Sequence, residues 1–364
     1  MSIMKRIIIE SYAIRNPYVG LGEFCMKLGR HIAAHAEELR TQHQIELYFI
    51  VPPKYKGCFG NQVHYLAVPK ALRYILMAYP FRVDLFHMPH QYCHLKKICR
   101  AENVLMTIHD INFMYEKQGE KLDRSIRRFK NKLHLVSHLN YISQFAKTDT
   151  NAHFPAHFPD RVIYNGVTDL NSKAQASEAF ASRLPEHFLF HISSLLPKKN
   201  IHLLVEMMKH LPEENLVIAG NWKSSYGQKL LEQIKAEHIT NILPLNNVSE
   251  EEKAYLYKRC KAFVFPSLCE GFGLPPIEAM KFGKPCFLST CTSLPEIGGE
   301  LAYYWPVLQP EEMATVVREQ ISSPDFESPE NGQRIRNYAQ KFDWEKCAQG
   351  YIDYYLDILN SSKK

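Results

Sequence analysis

The sequence predicts an α/β protein built from two doubly wound domains, each around its own parallel sheet. Short apolar runs alternate with longer amphipathic ones along almost the whole chain. The short runs are continuously hydrophobic, as strands covered on both faces must be, whereas a half-exposed strand would alternate. The series also begins afresh after residue 185, beyond a small and polar stretch. A length of 364 residues gives each of two domains enough chain for a core of its own.

In the first series the predicted strands are 5–10 (KRIIIE), 45–51, 63–68, 84–88, 103–108, 139–142 and 161–164, with helices over 23–40 and 122–138. In the second they are 187–193, 215–219, 240–243, 262–266 and 285–289, with helices over 201–210, 225–237, 249–259 and 276–282. The polar run 171–185 reads as a linker, so the expected organisation is a first domain over 1–170 and a second over 186–338. In open α/β sheets ligands gather outside the carboxyl ends of the strands, which directs attention to the residues that follow each one.

Composition excludes several classes. With 46% hydrophobic and 23% charged residues, the chain is neither disordered nor collagenous. No run reaches the roughly 18 apolar residues of a membrane span. The first apolar run is short and broken by Glu10 and Arg15, so it reads as a buried strand rather than a secretion signal. Nine cysteines at irregular spacing suit free thiols in a reducing compartment, and the expected location is the cytoplasm. The net charge of +6 is unevenly held: the first 170 residues are basic and the remainder is net acidic. The first domain is therefore the one expected to meet an anionic partner, and no nucleic-acid partner is expected.

The strongest chemical signal is the string Glu270-Gly271-Phe272-Gly273-Leu274-Pro275-Pro276-Ile277-Glu278-Ala279-Met280, between a predicted buried strand and a helix. Two prolines suit a first helical turn, whose N–H groups lack partners. Gly271 and Gly273 let backbone amides approach a ligand closely. Glu270 in the loop and Glu278 in the helix's first turn would face one crevice and accept hydrogen bonds from sugar hydroxyls. Their plainer reading is a solvated Glu270 and a Glu278 that complements the helix dipole.

These two glutamates, with seven residues between them inside EGFGLPPIEAM, resemble the signature of glycosyltransferase family 4, retaining enzymes of the GT-B fold. The likeness extends in order along the chain. Ser193-Ser194-Leu195-Leu196-Pro197-Lys198-Lys199-Asn200 resembles a Gly-x-Leu-x-Pro-Arg-Lys-Asn segment, with Ser193 in place of Gly and Lys198 in place of Arg. Cys286–Ser289 with Ser293-Leu294-Pro295-Glu296-Ile297 resembles the next strand and turn, and Tyr164-Asn165-Gly166-Val167 the end of the first domain. Trp344 and the helix after it resemble the C-terminal segment, 339–364 here, that crosses back onto the first domain.

The resemblance implies two Rossmann-like domains facing a central cleft, and transfer of a hexose, with mannose preferred, from a nucleoside-diphosphate sugar to a glycan or lipid-linked acceptor. Glu278 would hold the ribose, and Lys198 and Lys199 the diphosphate, whose developing charge they can neutralise. Lysine acts there as a point charge without arginine's bidentate fork. Glu270 and the amides of Gly271, Phe272, Gly273 and Leu274 would hold the sugar, and the turn at Ser293 and Leu294 would add N–H groups for the diphosphate. Gly20 and Gly22 resemble the family's glycine loop, although Glu23 stands where a basic residue is common. His109, in a His-Asp pair after the strand 103–108, would lie near the transferred sugar and acceptor. The resemblance implies no cofactor and no obligatory metal, because lysines and amides replace the metal's charge, and the chain contains no Asp-x-Asp motif.

The alternatives are a nucleotide-sugar epimerase on the same architecture and a sugar- or nucleotide-binding protein without catalysis. His87, His90, Cys93, His94 and Cys99 form a cluster whose spacing matches no common zinc ligand set. Lys96, Lys97 and Arg100, with Lys121, Arg124, Arg127, Arg128, Lys130 and Lys132, hold the basic excess. Leu122, Ile126, Phe129 and Leu133 share one face of the predicted helix. That face suits either a domain core or contact with an anionic membrane, which would make the protein peripheral on the inner membrane face.

Overall fold

The computed structural model describes residues 4–16, 20–71, 81–93, 101–155 and 157–361. The chain forms two compact units, residues 1–166 with 343–364, and residues 167–342. His94, Lys96, Lys97, Cys99 and Arg100 lie outside the described residues.

The first unit is a seven-stranded parallel sheet: β1 (Lys5–Glu10), β2 (Ile45–Val51), β3 (His64–Ala67), β4 (Val83–Met88), β5 (Ala101–Ile108), β6 (His138–Tyr141) and β7 (Asp160–Val162), in the order β3-β2-β1-β4-β5-β6-β7. Helices α1 (Gly20–Ala34), α2 (Ala36–His43), α3 (Phe113–Glu116), α4 (Gly119–Leu133) and α5 (Gln144–His153) lie between strands. Alternation between two cores explains the apolar run Ile7–Ile9 of β1. Ile7 and Ile9 enter one core with Leu47, Leu85 and the α1 residues Phe24, Leu28 and Ile32, while Ile8 enters the opposite core with Ile50, Phe86 and Met106. The predicted helix over 23–40 is two helices, starting at Gly20 and divided at His35. On α4, Phe129 is buried and Leu122, Ile126 and Leu133 pack against the second core. The apolar face of this helix therefore belongs to the domain, and its arginines and most of its lysines are exposed.

The second unit repeats the scheme. It comprises α6 (Glu178–Ala181), β8 (Leu189–Ile192), α7 (Ile201–Lys209), β9 (Leu216–Ala219), α8 (Ser225–Ala236), β10 (Ile242–Leu245), α9 (Glu250–Arg259), β11 (Ala262–Phe265), α10 (Leu274–Lys281), β12 (Cys286–Ser289), α11 (Leu294–Gly298), β13 (Tyr303–Trp305), α12 (Pro310–Ile321) and α13 (Pro329–Ala339). Its sheet runs β10-β9-β8-β11-β12-β13. The segment 171–185, expected as a linker, is part of this unit: Leu170 and Phe180 are buried in its core and Leu184 packs against it. Few but well-placed apolar residues dock an otherwise polar stretch.

The last helix, α14 (Trp344–Ser361), belongs to the first unit. Its Trp344, Tyr351, Tyr355 and Ile358 join the core under α1. Its tyrosines also reach into the sheet. Tyr351 bonds Thr107 Oγ1 at 3.0 Å and accepts from Asn140 Nδ2 at 2.7 Å, and Tyr355 bonds His87 Nδ1 at 2.7 Å. Among the described residues, no helix is long and apolar enough to cross a membrane.

A close approach seats α14. A Cβ added to Gly166 would collide with the backbone and indole ring of Trp344. Gly166→Ala is expected to destabilise the first unit by about 1–3 kcal/mol, the usual cost of overpacking. Urea denaturation followed by tryptophan fluorescence checks it, with an unchanged midpoint arguing that α14 docks elsewhere.

Candidate active site

In each sheet the chain leaves the first strand toward one edge and later returns to its other side. The crevice at that switch point is where an open α/β sheet accommodates a ligand. In the second unit it lies between β8 and β11. Ser193 and Lys198–Asn200 follow β8, and the segment 266–273 follows β11.

The loop after β11 is held from several sides. Asn200, in the left-handed region at φ 53°, donates its amide to Pro266 O at 3.1 Å. Ser289 donates to Ser267 O at 2.5 Å, and the amide of Leu268 donates to Lys198 O at 2.9 Å. The Glu270 amide donates to Thr292 Oγ1 at 3.1 Å. Ser293 lies between Glu270 O at 3.2 Å and Phe272 O at 2.7 Å. Gly273 caps α10 at φ 118°, a conformation that strains any residue with a Cβ. Ser293 and Leu294 are fully buried, and the Leu294 amide donates to Cys291 O at 3.2 Å. Both thus brace the glycine-rich turn, as does buried Phe272, whose ring meets Phe342 edge-on at 5.7 Å.

Within this frame Lys199 and Glu270 form an ion pair, each side chain 13% exposed. The ammonium also sits 5.2 Å above the Phe265 ring. Lys198 is half-buried beside them. Glu278 accepts hydrogen bonds from Lys253 Nζ at 2.9 Å and from the buried Tyr257 hydroxyl at 2.8 Å. Burial and the Glu278 charge push the Tyr257 pKa upward, so it remains a donor. Because the cap at Gly273 starts α10 at Leu274, Glu278 falls in the second turn rather than the first, and the dipole no longer accounts for it. Lys253 and Tyr257, one turn apart on α9, escaped the sequence reading. Their i, i+4 spacing inside a helix adjoining the EGFGLPPIEAM segment was the available signal.

The first unit carries the other expected residues. His109, just after β5, is 7% exposed and its Nε2 donates to Pro89 O at 2.9 Å, leaving Nδ1 unprotonated. Its amide donates to Gln91 Oε1 at 3.1 Å, and Phe24 meets the ring edge-on at 4.6 Å. Burial lowers its pKa to about 4. The two loop glycines differ. A Cβ on Gly22 would strike the carbonyls of Asn16 and Ala13, whereas one on Gly20 would meet open space. Gly22 therefore serves the packing of its own loop. His87 is fully buried, with both nitrogens engaged, by Tyr355 and by Thr107 Oγ1 at 3.0 Å. His90 Nδ1 accepts from the Tyr92 amide at 3.1 Å. Among the described residues no group of three or more His, Cys, Asp or Glu is placed to hold a metal.

Comparison with known proteins agrees with this architecture. Residues 172–342 match the family model described as Glycosyl transferases group 1. O-antigen chain mannosyltransferase B of Escherichia coli is 25% identical over 397 residues, covering 96% of this chain and 99% of that protein. Serotype-specific mannosyltransferase WbdA of Escherichia coli is 32% identical over 197 residues, spanning 50% of this chain but only 23% of that longer protein. Among solved structures, sucrose-phosphate synthase from Thermosynechococcus elongatus superposes with a TM-score of 0.72 at 18% identity, over 98% of this chain and 100% of that one. HepE of Anabaena, solved with UDP and glucose, gives 0.68 at 16% identity, over 97% and 99%. Fold and sequence together define a glycosyltransferase of the GT-B architecture. The group 1 match lies in the second unit, and over its whole length the chain is similar to an O-antigen chain mannosyltransferase.

The buried imidazoles have a measurable consequence. Burial lowers His109 and His191 to about 4, and burial with the nearby His109 lowers His87 to about 3. Unfolded histidine titrates near 6.5. Between these values the unfolded chain takes up protons that the folded chain refuses, so stability is full above about pH 6.5 and declines as pH falls toward 4. The urea midpoint is expected to drop between pH 7.5 and pH 5. A midpoint that holds or rises would show that these rings are charged in the folded protein.

Proposed function

We propose that the protein transfers a hexose from a nucleoside-diphosphate sugar, with retention of anomeric configuration and no obligatory metal ion, to a glycan or lipid-linked acceptor. The observation that carries this reading is the Lys199–Glu270 pair on the braced loop at the β8/β11 switch point. A diphosphate entering there competes with Glu270 for the Lys199 ammonium. Glu270 is thereby released to accept hydrogen bonds from the sugar, while Lys199 and Lys198 stabilise the charge of the leaving diphosphate in a partly desolvated setting. The amides of Gly271–Leu274 complete the sugar side. Glu278, oriented by Tyr257 and Lys253, suits the ribose hydroxyls.

In the first unit His109 presents an unprotonated Nδ1 at neutral pH, able to accept a hydrogen bond from sugar or acceptor, and the Gly20–Gly22 loop adjoins the same sheet edge. The two mannosyltransferase relatives support mannose as the sugar and GDP-mannose as the first donor to test. The epimerase and the non-catalytic binding protein gain no such support.

Donor turnover tests the reading directly. Incubation with GDP-, UDP-, ADP- and TDP-sugars is expected to release nucleoside diphosphate from one donor class, with activity surviving EDTA. Glu278→Ala should weaken nucleoside diphosphate binding by about 1.5–3 kcal/mol, the worth of a charged hydrogen bond. Glu270→Ala should chiefly lower kcat. Unchanged affinity in Glu278→Ala by titration calorimetry would remove the ribose assignment, and activity restored only by Mn²⁺ or Mg²⁺ would remove metal independence.

The acceptor side is carried by the basic, exposed face of α4, whose apolar face is already used by the core. We propose that Lys121, Arg124, Arg127, Arg128 and Lys130 dock the enzyme peripherally on an anionic surface at the cytoplasmic side of a membrane, at roughly 1 kcal/mol per basic residue. Sedimentation with anionic vesicles, weakened by high salt and absent with neutral vesicles, is the expected result. Equal and negligible sedimentation with both would favour an acceptor free in solution.

A further inference from the structure

Ser193 replaces the glycine of the resembled motif, and the function proposed above makes no use of it. The position does not require glycine, because the Ser193 backbone is not in the left-handed region. The close approach here falls to the neighbouring strand end, where a Cβ on Gly220 would lie 2.6 Å from the Ser193 backbone oxygen. The hydroxyl sits at the carboxyl end of β8, half-buried, with the fully buried ring of His191 behind it.

The hydrogen bonds of that ring fix the polarity of the hydroxyl. His191 Nδ1 lies 2.8 Å from the carbonyl oxygen of Val264. A carbonyl can only accept, so Nδ1 carries the proton. In the neutral ring Nε2 is then a lone pair, and it lies 2.8 Å from Ser193 Oγ. The single hydroxyl proton of Ser193 is therefore committed inward. What remains on the outer side is oxygen lone pairs alone.

We infer that Ser193 is a donor-sugar contact that accepts a hydrogen bond from a hydroxyl of the transferred hexose, with His191 as the residue that holds it in that polarity. The inference rests on the nucleotide-sugar reading of this site. A phosphate oxygen facing Oγ would meet like partial charge, whereas a sugar hydroxyl brings the missing proton. The surroundings agree. Lys199 is near enough to His191 to help lower its pKa, after burial, and Lys199 pairs with Glu270, the other acceptor assigned to the sugar. Cation and acceptors thus divide the pocket: ammonium groups for the diphosphate, Ser193 and Glu270 for the hexose. Burial keeps His191 neutral at physiological pH, so the hydroxyl is not turned outward there.

Titration calorimetry with GDP against GDP-mannose, and UDP against UDP-glucose, separates sugar from nucleotide contributions. Ser193→Ala is expected to weaken the sugar nucleotide roughly 5- to 10-fold, as loss of one neutral hydrogen bond does, and to leave the nucleoside diphosphate within about twofold. His191→Leu, checked for folding by its melting temperature, should show the same selective loss because the hydroxyl proton is no longer held. The inference is overturned if Ser193→Ala weakens both ligands of a pair equally or neither, whatever His191→Leu does. Wild-type protein that binds neither pair would instead overturn the nucleotide-sugar reading itself.

Discussion

Each sheet is covered on both faces, and most of the remaining structure follows from that constraint. A strand with cores on either side has no solvated face for polar side chains, so the chemistry is pushed to where strands end. In the second unit β9 and β11 are apolar through their lengths, and the polar groups placed to bind appear beyond the strand ends, at Ser193, Lys198, Lys199 and Glu270. Among the polar residues inside the sheets, the imidazoles of His87 and His191 are each held at both nitrogens. A buried imidazole is tolerable only when neutral and bonded, which also makes its protonation state a fixed part of the geometry.

The second unit stabilises its loop largely with backbone acceptors. Ser289, Ser293 and Asn200 all point hydroxyl or amide groups at carbonyls of the segment 266–272. Such a loop is shaped before a ligand arrives, so binding need not order it. The cations are held differently. Lys199 rests on Glu270, and Lys253 rests on Glu278, each a pair that a ligand can divide. The rigid part of the site is thus neutral and the exchangeable part is charged.

Much of this was legible in the sequence. The strands 5–10 and 45–51 were bounded as found, because continuous apolar runs flanked by polar residues admit few other placements. The EGFGLPPIEAM string gave both glutamates and the loop-to-helix transition. Less visible features depended on contacts between distant segments. The segment 171–185 looked like a linker because its composition is polar, yet Phe180 and Leu184 dock it on the core. The pairing of Lys253 and Tyr257 with Glu278 spans 25 and 21 residues, and their i, i+4 spacing on one helix does not by itself name the partner. Gly20 and Gly22 looked equivalent, but only the packing of Asn16 and Ala13 distinguishes them. The three residues of β13 were too short for a periodicity to declare itself.

The first unit is discontinuous in the chain, and this bears on the order in which the protein can form. Its core requires Trp344, Tyr351 and Tyr355, which a ribosome adds only after the whole of the second unit has been synthesised. Until then Phe24, Leu28 and Ile32 on α1 and the polar groups of Thr107, Asn140 and His87 lack their final cover. Residues 167–342, by contrast, are contiguous and can fold as soon as they leave the exit tunnel. Throughout the emergence of the second unit the first therefore keeps its apolar wall open, and that intermediate is the one that calls for chaperone protection.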